Sequence, residues 1–90
     1  MLKIKYHKQF KKDYKKALKR GLDDKLLKEV VTILAEGGTL PEKYRDHALS
    51  GDYKGCRECH VQPDWLLIYE IINDELVLIL NRTGSHSDLF

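Results

Sequence analysis

Residues 53–80 read YKGCRECHVQPDWLLIYEIINDELVLIL, and their punctuation decides the architecture. The runs Tyr53 to Val61, Trp65 to Ile72 and Leu76 to Leu80 read as strands, the second of them rich in β-branched and aromatic residues. Between them lie only Gln62-Pro63-Asp64 and Asn73-Asp74-Glu75, short connections built from turn formers. Connections of that length leave neighbouring strands no choice but to run antiparallel, so this half of the chain is a meander. A shorter strand over 46–50, turned by Gly51-Asp52, is expected before it, and the last strand is expected to run to Leu80 or on to Arg82.

Upstream the period changes. Leu2, Ile4 and Tyr6 alternate with Lys3 and Lys5, the pattern of a strand with one wet face. From His7 to Arg20 the apolar residues Phe10, Tyr14, Ala17 and Leu18 fall on one helical stripe, and Gly21 supplies a stop. Asp23 or Asp24 then caps a second helix carrying Leu26, Leu27, Val30, Val31, Ile33 and Leu34, which Gly37-Gly38 ends. Residues 39–46 read as an irregular connection. The short link between the helices favours an antiparallel hairpin. The predicted order is β-α-α-β-β-β, with room for one further strand: an α+β fold in which an antiparallel sheet carries a two-helix hairpin on one face and leaves the other open.

At 90 residues, with 42% hydrophobic and 33% charged side chains, the chain has the size and composition of one globular domain spanning 1–90. No uninterrupted apolar run follows Met1, and none elsewhere approaches bilayer length, so a cytoplasmic protein with no membrane partner is expected. The net charge of +2 hides an asymmetry. Nine basic residues in positions 1–20, among them Lys8, Lys11, Lys12, Lys15, Lys16, Lys19 and Arg20, face Asp13 alone, giving this quarter +8. Such an arm suits a polyanion or an acidic protein partner, and serves equally as a solvated lysine face.

His47, His60 and His86 fall at strands or just past their ends, and a meander brings strand ends together. His47, His60, Asp64, Arg82 and His86 are therefore able to converge. Along one strand, Lys54, Cys56, Glu58 and His60 point to one face, which reads as a polar surface, while Arg57, Cys59 and Val61 point to the other. Imidazoles beside a cation fit RNA cleavage by its own 2′-hydroxyl, which needs a base, a positive charge for the phosphorane and an acid for the departing 5′-oxygen; no cofactor is required. Phe90 is expected to tuck into an apolar pocket and anchor the tail, or to offer its ring to a base.

Other patterns carry less. Cys56-Arg57-Glu58-Cys59-His60 matches the C-x-x-C-H of haem attachment, but its cysteines point to opposite faces of a strand, which disfavours haem, a zinc knuckle and a local disulfide alike. His47, His60, Asp64 and His86 are ligand types without ligand spacing, and no metal is expected. Ser85-His86-Ser87-Asp88 cannot form a serine triad, because chain neighbours cannot aim at one another.

Three ordered stretches resemble one family. Tyr44-Arg45-Asp46-His47-Ala48-Leu49-Ser50-Gly51, Arg57 to Tyr69 with its His60-x-x-Pro63-Asp64-x-x-Leu67-x-Tyr69 core, and Arg82-Thr83-Gly84-Ser85-His86-Ser87-Asp88-Leu89-Phe90 are similar to motifs of the YafQ branch of the RelE-like bacterial toxins. The resemblance implies a RelE-like fold with its site on the face away from the helices, and an endoribonuclease acting on mRNA at the ribosome as the toxin of a type II toxin–antitoxin system. It implies His86 as general acid, Arg82 as the phosphate-stabilising cation, and His47, His60, Asp64, Glu58 and Phe90 in support, with the base left open between His47 and His60. It further implies a cognate antitoxin, a free toxin that is a monomer, and binding of ribosomal RNA by the basic arm and Lys54. A ParE-like toxin that binds a target such as DNA gyrase without catalysis, and a plain nucleic-acid-binding module, are the alternatives.

Overall fold

A computed structural model describes residues 1–90. Strand β1 (Lys3–Tyr6) leads into helices α1 (Lys8–Lys19) and α2 (Asp24–Ala35), followed by β2 (His47–Ala48), β3 (Arg57–Gln62), β4 (Trp65–Ile72), β5 (Val77–Gly84) and a terminal turn of helix, α3 (His86–Leu89). Short 3₁₀ turns over 42–44, 51–53 and 73–75 join them. No helix is long and apolar enough to cross a membrane.

The helices start and stop for local reasons. Asp23 accepts a hydrogen bond from the Lys25 backbone N–H at 2.9 Å and caps α2, while His7 caps α1 through its Nδ1 and the Gln9 backbone N–H. Gly21 takes φ 83°, a left-handed conformation that ends α1 at no steric cost.

The sheet order is β1-β5-β4-β3-β2. The predicted meander is present: β3–β4 and β4–β5 are antiparallel hairpins, and β2 pairs antiparallel with β3. One expectation fails, because β1 lies parallel to β5, in register Lys3 with Val77 and Tyr6 with Leu80, so the sheet is mixed. The tight turns fix only the strands they join. A helical hairpin separates β1 from β2, so the connection is free to cross the covered face and leave β1 on the edge opposite β2.

Central β4 reads Trp-Leu-Leu-Ile-Tyr without alternation because both its faces are covered, with every residue from Trp65 to Tyr69 no more than 1% exposed. Trp65, Leu67 and Tyr69 join Phe10, Leu27, Val30 and Leu34 in the main core under the helices. Leu66 and Ile68 point the other way, into a second cluster with Cys56 and Leu89, backed by Leu49 and Tyr53. The face expected to be open and polar is thus partly roofed by α3. Leu89 provides the tail's buried anchor, and burying such a side chain is worth about 2 kcal/mol. Phe90, expected in that role, remains 67% exposed with its ring edge-on to Tyr53 at 6.0 Å.

Candidate active site

The three β-half histidines come together on the sheet face opposite the helical hairpin. Glu58 and His60 pair directly across the ladder with Ile68 and Leu66, and His47 pairs with Glu58, which puts all of them on the face of the second cluster. The rings of His47 and His60 lie 6.3 Å apart between centroids, and those of His60 and His86 lie 5.5 Å apart. His86 arrives from α3, brought over the sheet by the burial of Leu89.

Each imidazole is held through the same nitrogen. His47 Nδ1 donates to the Arg45 carbonyl at 2.8 Å, His60 Nδ1 to the Pro63 carbonyl at 3.3 Å, and His86 Nδ1 to the Asp64 carboxylate at 2.6 Å. A carbonyl can only accept, so the first two rings carry their neutral-state proton on Nδ1, and an ionised carboxylate imposes the same on the third. All three therefore leave Nε2 as the nitrogen that takes or gives a proton, with Glu58 beside it in His47 and His60. Asp64 also accepts the His86 backbone N–H at 2.9 Å, and that bond, together with the one from the ring, holds its carboxyl below the usual value.

Glu58 sits between His47 and His60. Its Oε1 is 3.4 Å from His47 Nε2 and 3.7 Å from His60 Nε2, and its side chain is only 6% exposed. The second oxygen, Oε2, is buried and has no hydrogen-bond partner. A proton gained by either ring at Nε2 faces a carboxylate with little else to neutralise it. Behind this group, Asp46 is bonded by Arg57 at 2.9 and 3.0 Å and by the Tyr69 hydroxyl, which keeps the His47 strand in place. Burial and the bond to Asp46 push the Tyr69 hydroxyl far above its ordinary pKa.

Arg82 pairs with Ile68 and so stands on the histidine face of the sheet, but its guanidinium is engaged at the β5 edge and does not line the groove that His60 and His86 share. β1 pairs with β5 only as far as Leu80, and beyond that point the β5 edge is free. Asp13 of α1 closes it: its carboxylate accepts from Arg82 Nε at 2.7 Å, Arg82 Nη2 at 3.2 Å, the Thr83 backbone N–H at 3.2 Å and Gln9 Nε2 at 3.1 Å. Burial raises the Asp13 carboxyl, but those bonds more than offset it and leave it below its ordinary value. The cations that do share the groove are Arg45 and Lys43, on a lining that also takes in Glu29 of α2 and leaves out His47 and Glu58. Arg45 holds a left-handed backbone, φ 48° and ψ 42°, unusual for a side chain of its size, and its own carbonyl is the one that orients His47. No hydrogen bond or ion pair occupies its guanidinium.

Sequence reasoning passed over Asp13, Arg45 and Asp46. Arg45-Asp46 beside His47 is at least a local signal, whereas the Asp13–Arg82 pair spans 69 positions and leaves none. Of the predicted RNA-binding residues, Lys8, Lys11, Lys12, Lys15, Lys19 and Lys54 are exposed and free of acidic partners, while Lys16 and Arg20 both meet Asp88. Cys56 and Cys59 are free thiols on opposite faces, and burial pushes Cys59 up to about 12. No group of three or more His, Cys, Asp or Glu side chains is arranged to hold a metal ion. What the groove offers is proton transfer among imidazoles beside free cations, which is chemistry for a phosphodiester.

Comparison with known proteins agrees. The profile of the family described as bacterial toxin of type II toxin–antitoxin system, YafQ, matches residues 2–90. The mRNA interferase toxin YafQ of Escherichia coli K12 is 47% identical over 88 residues, covering 97% of this chain and 94% of that one. Among solved structures, a metal-bound toxin from Helicobacter pylori is 51% identical with a TM-score of 0.94, each chain fully covered. The E. coli DinJ–YafQ toxin–antitoxin complex is 43% identical with a TM-score of 0.88, covering 100% of this chain and 99% of that one.

Proposed function

This chain belongs to the YafQ family of toxins of type II toxin–antitoxin systems, and we propose that residues 1–90 form one toxin domain that cleaves mRNA by acid/base catalysis at His47, His60 and His86. The observation that carries this reading is the row of three rings, each held at Nδ1, with Nε2 facing Glu58 in His47 and His60 and without a partner in His86. The E. coli relative is by name an mRNA interferase.

In the proposed reaction a 2′-hydroxyl gives its proton to Nε2 of His47 or His60 as its oxygen attacks the adjacent phosphorus. Glu58, close to both nitrogens, stabilises the imidazolium that forms. His86, protonated at Nε2 and held by Asp64, gives its proton to the departing 5′-oxygen. The P–O5′ bond breaks, leaving a 2′,3′-cyclic phosphate and a 5′-hydroxyl, with protons in balance. Charge building on the phosphorane is met by cations at the groove. Arg82 reaches a phosphate only from its seat on Asp13, whereas the Arg45 guanidinium has no competing partner.

The message is proposed to be cut on the ribosome in the cytoplasm, with the +8 arm binding ribosomal RNA phosphates and Phe90 offering its exposed ring to a base. The free protein is a monomer in this reading. A cognate antitoxin, the counterpart of DinJ in the E. coli complex, is its partner, and that antitoxin is proposed to cover the groove and to present acidic residues to the arm.

Replacing His86→Gln tests the core of this. Cleavage of ribosome-bound message, assayed with and without a chelator, should fall by about 10²–10⁴ with circular dichroism unchanged, and the wild type should be indifferent to the chelator. Undiminished cleavage by the variant overturns the nuclease reading. A variant that stays toxic although no message is cut by either protein would point to a non-catalytic binder.

A further inference from the structure

The last helical turn is four residues long, and a segment so short at a chain end has little of its own to resist fraying. Yet His86 sits in it. Two devices tie this turn down besides the buried Leu89. The first is a capping box: the Ser85 hydroxyl accepts the Asp88 backbone N–H at 3.2 Å, and Asp88 Oδ2 accepts the Ser85 backbone N–H at 2.9 Å. The second is not local. The same Asp88 carboxylate is gripped by the Arg20 guanidinium at the end of α1, Nη1 to Oδ2 at 2.5 Å and Nη2 to Oδ1 at 3.1 Å, with Lys16 Nζ at 3.6 Å. A Cβ at position 84 would lie 3.0 Å from both the Cβ and Oδ2 of Asp88, so glycine there lets β5 pass close under the clamp.

We infer that Asp88, held by Arg20, is a positioning residue for His86. His86 lies between the two residues of the capping box. Its backbone N–H and Nδ1 are fixed on one side by Asp64, and the turn that carries it is fixed on the other by Asp88 and Arg20. Arg20 thereby leaves the set of cations offered to RNA and joins the support of the site. This rests on the reading of His86 as the proton donor.

The two roles open to Arg20 predict opposite signs at Asp88. If Arg20 is an RNA ligand masked by Asp88, then Asp88→Asn frees it and RNA binding tightens, while Arg20→Gln weakens binding. If the pair positions His86, both variants lower the rate of bond cleavage and leave affinity alone. Asparagine keeps the oxygen that accepts the Ser85 N–H, so Asp88→Asn removes the charge while sparing the cap.

The test uses the full chain, a ribosome-bound message, single-turnover cleavage and equilibrium binding, with Arg20→Gln, Asp88→Asn, their double variant, Arg20→Lys and His86→Gln. The expected result is a fall of about 10- to 100-fold in the single-turnover rate for each single variant, with affinity within about twofold of wild type. The double variant should be no slower than the worse single one, because the two residues act as a unit, and Arg20→Lys should recover part of the rate. Wild-type cleavage by Asp88→Asn, or tighter binding by it alongside weaker binding by Arg20→Gln, overturns the inference. If His86→Gln also cleaves normally, the failure lies with the proposed function itself; if only His86→Gln is inactive, it lies with the positioning role.

Discussion

Asp13→Ala should destabilise this protein more than its sequence suggests. A lone acid in a lysine-rich helix looks like a surface residue, but Asp13 is 9% exposed and takes four hydrogen bonds, one from the backbone of β5. Its removal strands the Thr83 N–H, at a cost of about 1–3 kcal/mol for a buried unsatisfied group. It also leaves the Arg82 charge unpaired, for which a fully buried pair would lose about 3–5 kcal/mol. Arg82 keeps 24% side-chain exposure and regains some water, so the combined loss is about 3 kcal/mol, a large share of the roughly 5–15 kcal/mol typical of a domain. Thermal unfolding followed by circular dichroism should show Tm lowered by roughly 12–24 °C at pH 7. Pairing Asp13→Leu with Arg82→Leu should recover much of this, since no buried charge is then left alone. The folded Asp13 carboxyl lies below its unfolded value, so its contribution is complete above the unfolded pKa of about 4 and fades as pH falls through the folded one. The gap between wild type and Asp13→Ala should accordingly narrow toward pH 3. A Tm at pH 7 within a few degrees of wild type, or a gap unchanged in acid, refutes the edge-closure argument.

Two further outcomes concern the cations. Arg45→Ala should slow cleavage by about tenfold or more while Arg45→Lys retains most of it, measured by single-turnover kinetics; Arg45→Gly, which accepts φ 48° without strain, should be as slow as the alanine variant if the guanidinium rather than the backbone matters. Reversing Lys8, Lys11, Lys12 and Lys15 to glutamate together should weaken ribosome binding and flatten its dependence on log salt by a slope of roughly 3, by sedimentation across a salt series, with cleavage of a short RNA unaffected.

Much of the fold is written locally. The turns at 62–64 and 73–75 and the apolar runs between them are enough to specify the meander, and β4 occupies Trp65–Ile72 as its composition predicts. The Asp23 cap and the Phe10, Ala17 stripe set the helices. Missing from any local window are the pairings that close the molecule: β1 on β5, Asp13 on Arg82, Arg20 on Asp88. Each joins the first quarter of the chain to the last, and no turn or period records such a contact. For the same reason β5 reaches Gly84 rather than stopping at Leu80 or Arg82, because an α1 side chain supports its free edge. The histidines converge as strand-end reasoning expects, but the interposition of Glu58 and the shared Nδ1 anchoring follow from register and ring orientation, which side-chain identity alone does not carry.

The parallel seating of β1 against β5 has a mechanical corollary. A pull on residue 1 against residue 90 runs along both strands in opposite senses, so the ladder from Lys3–Val77 to Tyr6–Leu80 is loaded in shear. Its slanted hydrogen bonds must then rupture together instead of unzipping one by one. An antiparallel edge strand in that position would peel under the same load, so the one strand whose direction the local pattern did not predict is also the one that makes the molecule resist extraction by force.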